Sequence, residues 1–212
     1  MTSTASTFAA TTQGAALFRP NTFIDVFFSN HGPRAKIVRD CLVVGVTPLI
    51  LALLGRFVIP LPFSLVPITG QTFGVLVLGA VLGWQRAILG LGLFLLSGGL
   101  GVPFFSGGGS GWAHLFGPSG GYLVGFMAAA ALMGWMSERY RMDRQFARAW
   151  TLFFVGHTVI FTFGVLWLSL WVGFDQAVLT GFVPFVPGEI IKTTFAAAAT
   201  KMAWSASKIN PK

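Results

Sequence analysis

Only 9% of the 212 residues carry a charge, and this scarcity decides which solvent the chain can fold in. A soluble domain devotes about 25% of its residues to Asp, Glu, Lys and Arg, because its surface must face water. With less than half that share, 54% hydrophobic residues and a mean hydropathy of +0.75, most of this surface must face lipid. The length suits one compact membrane domain and leaves no room for a second, soluble one. The net charge of +8 does not point to nucleic acid in such a chain, since the cations of a membrane protein collect on its cytoplasmic side. The single cysteine, Cys41, excludes an intrachain disulfide framework and a cysteine-based zinc site. Within its apolar run it reads as a small buried thiol.

Gly, Pro and charge divide the apolar runs into six transmembrane helices, an all-α membrane protein. The expected spans are Ile37–Ile59, with Pro48 as a kink, Pro67–Gly83, Ala87–Leu100, Gly120–Ser137, Ala149–Val172 and Pro187–Ala206. The second and third are short, glycine-rich and joined by a tight "GWQR" turn. Residues 1–36, rich in Ser, Thr and Ala at their start, lack a signal-peptide pattern. They read as a cytoplasmic tail, partly disordered or lying along the membrane surface at "DVFFSNHGPRAK". Residues 37–206 form the membrane domain and 207–212 a short C-terminal tail. With both termini inside, Arg19, Arg34, Lys36, Arg39, Arg86, Arg139, Arg141, Arg144, Arg148, Lys201, Lys208 and Lys212 share the cytoplasmic face. Arg56 and Lys192 are the exceptions among the 14 cations, and the separation sets the orientation.

The outer connections differ in kind. Ser97–Gly121 contains no Lys, Arg, Asp or Glu, and Gly173–Gly188 has one acid and no base. Long loops of Gly, Pro and aromatics can form a lid over a pocket or serve merely as connections. Against this neutrality, Glu189 and Lys192 stand out near the outer start of the sixth span. At i, i+3 they project from one helix face. Two readings fit: a capping carboxylate paired with a neighbouring lysine, or a polar ligand site, because ionisable residues at membrane depth usually mark one.

Other chemistry is mostly excluded. No Walker A loop is present, and Gly107–Gly111 lacks the strand and lysine of a phosphate cradle. His31, His114 and His157 show no metal-ligand spacing; His114 suits a pocket lining and His157 a satisfied interior histidine. "GGGSGW" lacks the strand-to-helix elbow of a serine nucleophile. No catalytic constellation, metal site or cofactor site is visible, so the chain does not read as an enzyme. Trp112, Phe116 and Tyr122 fit either ring stacking or an interfacial aromatic belt. The basic fourth loop is a charged cytoplasmic loop, open to a protein partner.

Three blocks, "IPLPFSLVPITGQTFGVLVLGAVLG" (Ile59–Gly83), "GLGVPFFSGGGSGWAHLFGPSGGYLVGF" (Gly99–Phe126) and "VPGEIIK" (Val186–Lys192), resemble the bacterial BioY family of biotin transporters. The likeness runs from about Val38 to Ala206. It implies a multi-pass protein of the bacterial plasma membrane that captures biotin near its outer face, with no cofactor and no nucleic acid. It also implies a transmembrane coupling subunit and a pair of cytoplasmic ATP-binding cassette ATPases as partners. In the family's sixth helix an Asp precedes a Lys by three residues; Lys192 matches, and Glu189 stands where Asp is expected. Gln71 falls in a "PVTLQTF"-like element with Gly70 in place of an apolar residue. Gly117, Gly120, Gly121 and Tyr122 match a "GPTGGYL"-like element, with Ser119 for Thr. Together with the loop residues read above, the candidate substrate site comprises Glu189, Lys192, Gln71, Trp112, His114 and Tyr122. For the coupling subunit, a small-xxx-small face on the first helix has Cys41 with Gly45, or Pro48 with Ala52, as candidates. Alternatives are the same scaffold holding another small vitamin, or a membrane assembly subunit in which Glu189 and Lys192 simply pair.

Overall fold

The computed structural model describes residues 22–28 and 32–207; the expectations for residues 1–21, 29–31 and 208–212, with Arg19, His31, Lys208 and Lys212, lie outside them. A short helix α1 (Phe23–Phe27) precedes α2 (Pro33–Leu54), which continues through Pro48. A two-stranded ribbon follows, β1 (Val58–Ile59) antiparallel to β2 (Ile68–Thr69), with Val58 opposite Thr69 and Ile59 opposite Ile68. Next come α3 (Gln71–Leu82), α4 (Trp84–Gly99), the single turn α5 (Trp112–Leu115), α6 (Gly120–Tyr140) and α7 (Phe146–Val172). The chain closes with α8 (Phe174–Gly181) and α9 (Val186–Ala206).

A helix lies at each of the six expected positions, with shifted edges. The first starts at Pro33 and stops at Leu54, because the residues up to Ile59 turn into the ribbon. The second begins at Gln71, since Ile68 and Thr69 belong to β2. The "GWQR" turn contracts to one residue, Gly83, whose φ of 84° lets one helix end and the next begin without a loop. The second outer connection is not a loop: α8 and a 3₁₀ turn at Val183–Phe185 occupy most of it. Ala177 and Gly181 bury one face of α8, a local amphipathicity that its Gly and Pro neighbours mask in the sequence.

Among the described residues, Arg34–Leu54, Gly120–Tyr140 and Phe146–Val172 are long and apolar enough to cross a membrane. At about 1.5 Å per residue, α3 and α4 reach only ~18 and ~24 Å, short of the ~30 Å hydrocarbon core. Helix α9 has the length but carries Glu189, Lys192 and Lys201. The core is filled by Phe94, Phe105, Phe153, Leu76, Met133 and Ile160, all fully buried. Helices α6 and α7 pack most extensively, and at Gly125 a Cβ would lie 3.0 Å from the backbone of Ile160, so glycine permits that close approach and a larger residue would push the helices apart. Large apolar side chains such as Leu42, Leu53, Leu166, Leu170 and Phe195 face outward, as an apolar solvent requires and water does not favour. Cys41 is exposed, which corrects the expectation of a buried thiol: it sits on this outward face of α2.

The end of the bundle remote from Glu189 is tied by charge. Asp25 of α1 meets Arg39 of α2 at 2.8 Å and Arg86 of α4 at 2.7 Å. Asp40 meets Arg39 at 2.6 Å and the Arg86 Nε at 3.1 Å. Burial works against the Asp25 carboxylate, but the Arg86 and Thr22 hydrogen bonds and the Arg86 and Arg39 charges outweigh it and hold its pKa below the ordinary value. Phe23 packs edge-on against Trp204 of α9, and Trp204 donates to Asp143 at 2.6 Å.

Candidate ligand-binding site

The first turn of α9 positions the site. Pro187 falls in that turn, where its missing N–H costs nothing, and Glu189 then points inward, 5% exposed. Lys192, one turn on, donates from Nζ to Glu189 Oε1 at 2.7 Å. The same ammonium donates to the Thr69 carbonyl of β2 at 2.8 Å and to Thr72 Oγ1 of α3 at 3.0 Å. Thr72 in turn donates to the carboxylate, 3.1 Å from Oε2. From α7, His157 Nε2 stands 2.5 Å from Glu189 Oε2, in a contact whose angle leaves the ring N–H without an aligned acceptor. Its Nδ1 lies 2.9 Å from Thr193 Oγ1. Four elements thus converge on one buried ion pair, three of them on its carboxylate. Charge-assisted hydrogen bonds of this kind are about twice as strong as neutral ones, and each partner limits the desolvation cost of the others.

The other expected residues divide. Gln71, 2% exposed, donates to the carbonyls of Leu51 and Phe104, both at 3.2 Å, tying the end of α2 to the glycine-rich connection. His114 lies ring-on-ring over Phe105, centroids 5.1 Å apart, and burial holds its pKa below the usual histidine value. Tyr122 donates to the Gly181 carbonyl at 2.7 Å and faces Phe185 and Phe161. Gln71, His114, Tyr122, Thr72 and Glu189 line one cavity of about 40 Å³. Lys192 closes the cluster beside it. Trp112 is not among the lining residues; it stacks on Phe116 and packs against Gly99, 47% exposed. A second cavity, a groove of about 380 Å³ between α7 and α9, has apolar walls such as Phe154, Phe182 and Ile190, with His157, Thr193 and Glu189 among its polar lining. Glu189 and Phe161 border both spaces.

His157, expected as a satisfied interior histidine, is buried and bonded to Thr193, but sequence reasoning did not place it, Thr72 or Thr193 beside Glu189. His157 carried a usable signal, because an ionisable side chain within an apolar span is by default a functional candidate. Thr72, next to Gln71 at the head of an otherwise apolar helix, carried a weaker one. Nothing in the pattern singled out Thr193. Arg56 donates to the Pro103 carbonyl, so both cations that break the charge separation contact the segments that surround this end.

A helical bundle with apolar outward faces and a buried, multiply bonded ion pair at one end has the build of a membrane protein with a polar centre inside it. Its fold is that of the crystal structure described as the S-component for biotin from an ECF-type ABC transporter. The match has a TM-score of 0.73, 24% identity, and coverage of 81% of this chain and 94% of that one. A family match to BioY spans residues 6–209, and the chain belongs to the BioY family. Biotin transporter BioY2 of Lactococcus lactis subsp. cremoris is 37% identical over 145 residues, 68% of this chain and 78% of the relative. Biotin transporter BioY of Rhizobium etli is 34% identical over 168 residues, 75% and 89% of the two chains. Probable biotin transporter BioY of Pyrococcus horikoshii is 34% identical over 131 residues, 62% and 76%.

Proposed function

We propose that the chain captures biotin for uptake across the bacterial plasma membrane, as the membrane-embedded substrate-binding component of a transporter and not as an enzyme. The observation that carries this is the buried Glu189–Lys192 pair, bonded at 2.7 Å among Thr72, His157 and Gln71, in a member of the BioY family. Biotin's ureido group offers two N–H donors and a carbonyl, and its acyl chain ends in a carboxylate. Glu189 accepts from N–H; Lys192 donates to an oxygen; His114 and Tyr122 cover the rings. A ligand site needs roughly 300 Å³ or more: the 40 Å³ cavity would have to widen as biotin enters, whereas the groove of about 380 Å³ on the other side of Glu189 already has that volume.

In this reading six helices cross the membrane with both termini cytoplasmic, the shortfall of α3 and α4 made up by the ribbon and connections at their ends. The clusters of Arg39, Arg86, Arg141 and Arg144 then lie inside and Glu189 lies toward the outside, as the distribution of cations favours. A coupling subunit and ATPases would drive accumulation as its partners, since the sequence has no Walker A loop with which to hydrolyse nucleotide itself. Of the two small pairs on α2, Cys41 and Gly45 face outward while Pro48 is buried, so the former pair docks the coupling subunit.

Equilibrium binding of biotin to the purified protein in detergent tests the proposal. Saturable binding that is lost in Lys192→Ala is the expected result; no binding by the wild type, or unchanged binding by the variant, would overturn it. Competition by other vitamins tests the choice of ligand.

A further inference from the structure

The three N–H groups of Lys192 are all used: by the Thr69 carbonyl, by Thr72 Oγ1 and by Glu189 Oε1. An ammonium has three donors and no more. For Lys192 to reach a ligand oxygen, one of these bonds must break. Release of Glu189 Oε1 is the exchange that frees the most, since it opens a donor on the lysine and an acceptor on the carboxylate together. It is also the costliest, because it strips a buried carboxylate of its ammonium.

His157 stands where that cost can be offset. Its Nε2 lies 2.5 Å from Glu189 Oε2, on the oxygen that Lys192 does not use, and the ring is buried. A carboxylate only accepts, so Nε2 is the nitrogen that carries the proton toward it. Thr193 Oγ1 at Nδ1 fixes the ring in that orientation, as second partners of functional histidines do. The Nε2–H has no aligned acceptor in the present arrangement. A carboxylate released by Lys192 can rotate onto it, exchanging a misaligned contact for a directed hydrogen bond.

We propose that His157 is a positioning residue for ligand capture: held by Thr193, it takes over the Glu189 carboxylate when Lys192 turns to the ligand. The idea rests on the reading of this site as a biotin site. Four substitutions separate it from a packing role. His157→Gln places an amide N–H near the position of Nε2. His157→Asn places one near Nδ1, within reach of Thr193 but not of Glu189. His157→Leu supplies neither, and Thr193→Val keeps its shape while releasing the ring. The measurement is calorimetric biotin affinity in detergent, with thermal unfolding to confirm folding. His157→Leu and His157→Asn should bind biotin at least about tenfold more weakly than wild type. His157→Gln should recover most of that loss, and Thr193→Val should fall between. Affinity within about twofold of wild type in His157→Asn, or equal loss in Gln and Asn, overturns the inference while leaving biotin capture standing. Should His157→Leu fail to fold, the Gln, Asn and Thr193→Val comparison decides alone. A wild type that does not bind biotin at all defeats the functional reading instead.

Discussion

Replacing Lys192 with Met separates what the ion pair does for the fold from what it does for a ligand. The variant keeps an unbranched apolar stem but removes three donors, leaving Glu189, 7% exposed at its side chain, without its ammonium. Breaking a buried pair by removing one partner costs about 3–5 kcal/mol. Lys192 retains 19% of its side-chain exposure, and His157 still abuts the carboxylate, which sets the expected loss near the lower figure, about 3 kcal/mol. For a chain of this length that lowers the melting temperature by roughly 6–12 °C. Adding Glu189→Leu leaves no uncompensated charge, and replacing a buried pair with apolar residues of similar volume is often harmless or stabilising. The double variant should therefore melt within about 3 °C of wild type. Both variants should have lost high-affinity biotin binding. Tryptophan fluorescence on heating, followed by calorimetry with biotin, reads the two effects. A double variant as unstable as the single one, or one that still binds biotin tightly, refutes the reasoning.

Arg86, 2% exposed and bonded to Asp25 and Asp40, should destabilise the bundle by about 3 kcal/mol when changed to Met. Biotin affinity measured below the melting range should be unchanged, since the cluster lies at the far end. Burial pushes the Asp143 carboxyl up to about 6 against an ordinary value of 3.8, outweighing the Trp204 hydrogen bond and the Arg144 charge. Because the folded state then holds more protons than the unfolded state between those values, stability falls as pH rises from about 4 to about 6; Asp143→Asn should flatten that slope in pH-dependent melting. A Cβ at Gly45 meets nothing within 4 Å, so Gly45→Leu should leave melting and biotin binding intact. It should abolish copurification with the coupling subunit, and retained copurification would count against docking on that face.

The pattern of legibility follows from the solvent. Glu189 and Lys192 were visible because charge is conspicuous in an apolar chain and i, i+3 spacing fixes a shared face. Cys41 was misread because apolar periodicity, which tells inside from outside in water, loses its meaning when both sides of a helix meet apolar surroundings. The outward residues Leu42, Leu49 and Leu53 of α2 are as apolar as the buried Leu51. In lipid the direction is carried instead by small residues, as at Gly125, which marks the face that α6 presents to α7. A second limit is distance along the chain. Thr72 and Glu189 are separated by 117 positions and His157 and Thr193 by 36, so no local spacing could pair them. What joins them is the way α3, α7 and α9 meet at one end. The glycines that permit such close packing were legible as composition, but the partners they select emerge only from the assembled bundle. An ionisable side chain inside an apolar helix is therefore best read as evidence for a second polar group on another helix, and His157 facing Glu189 is what that rule leads to here.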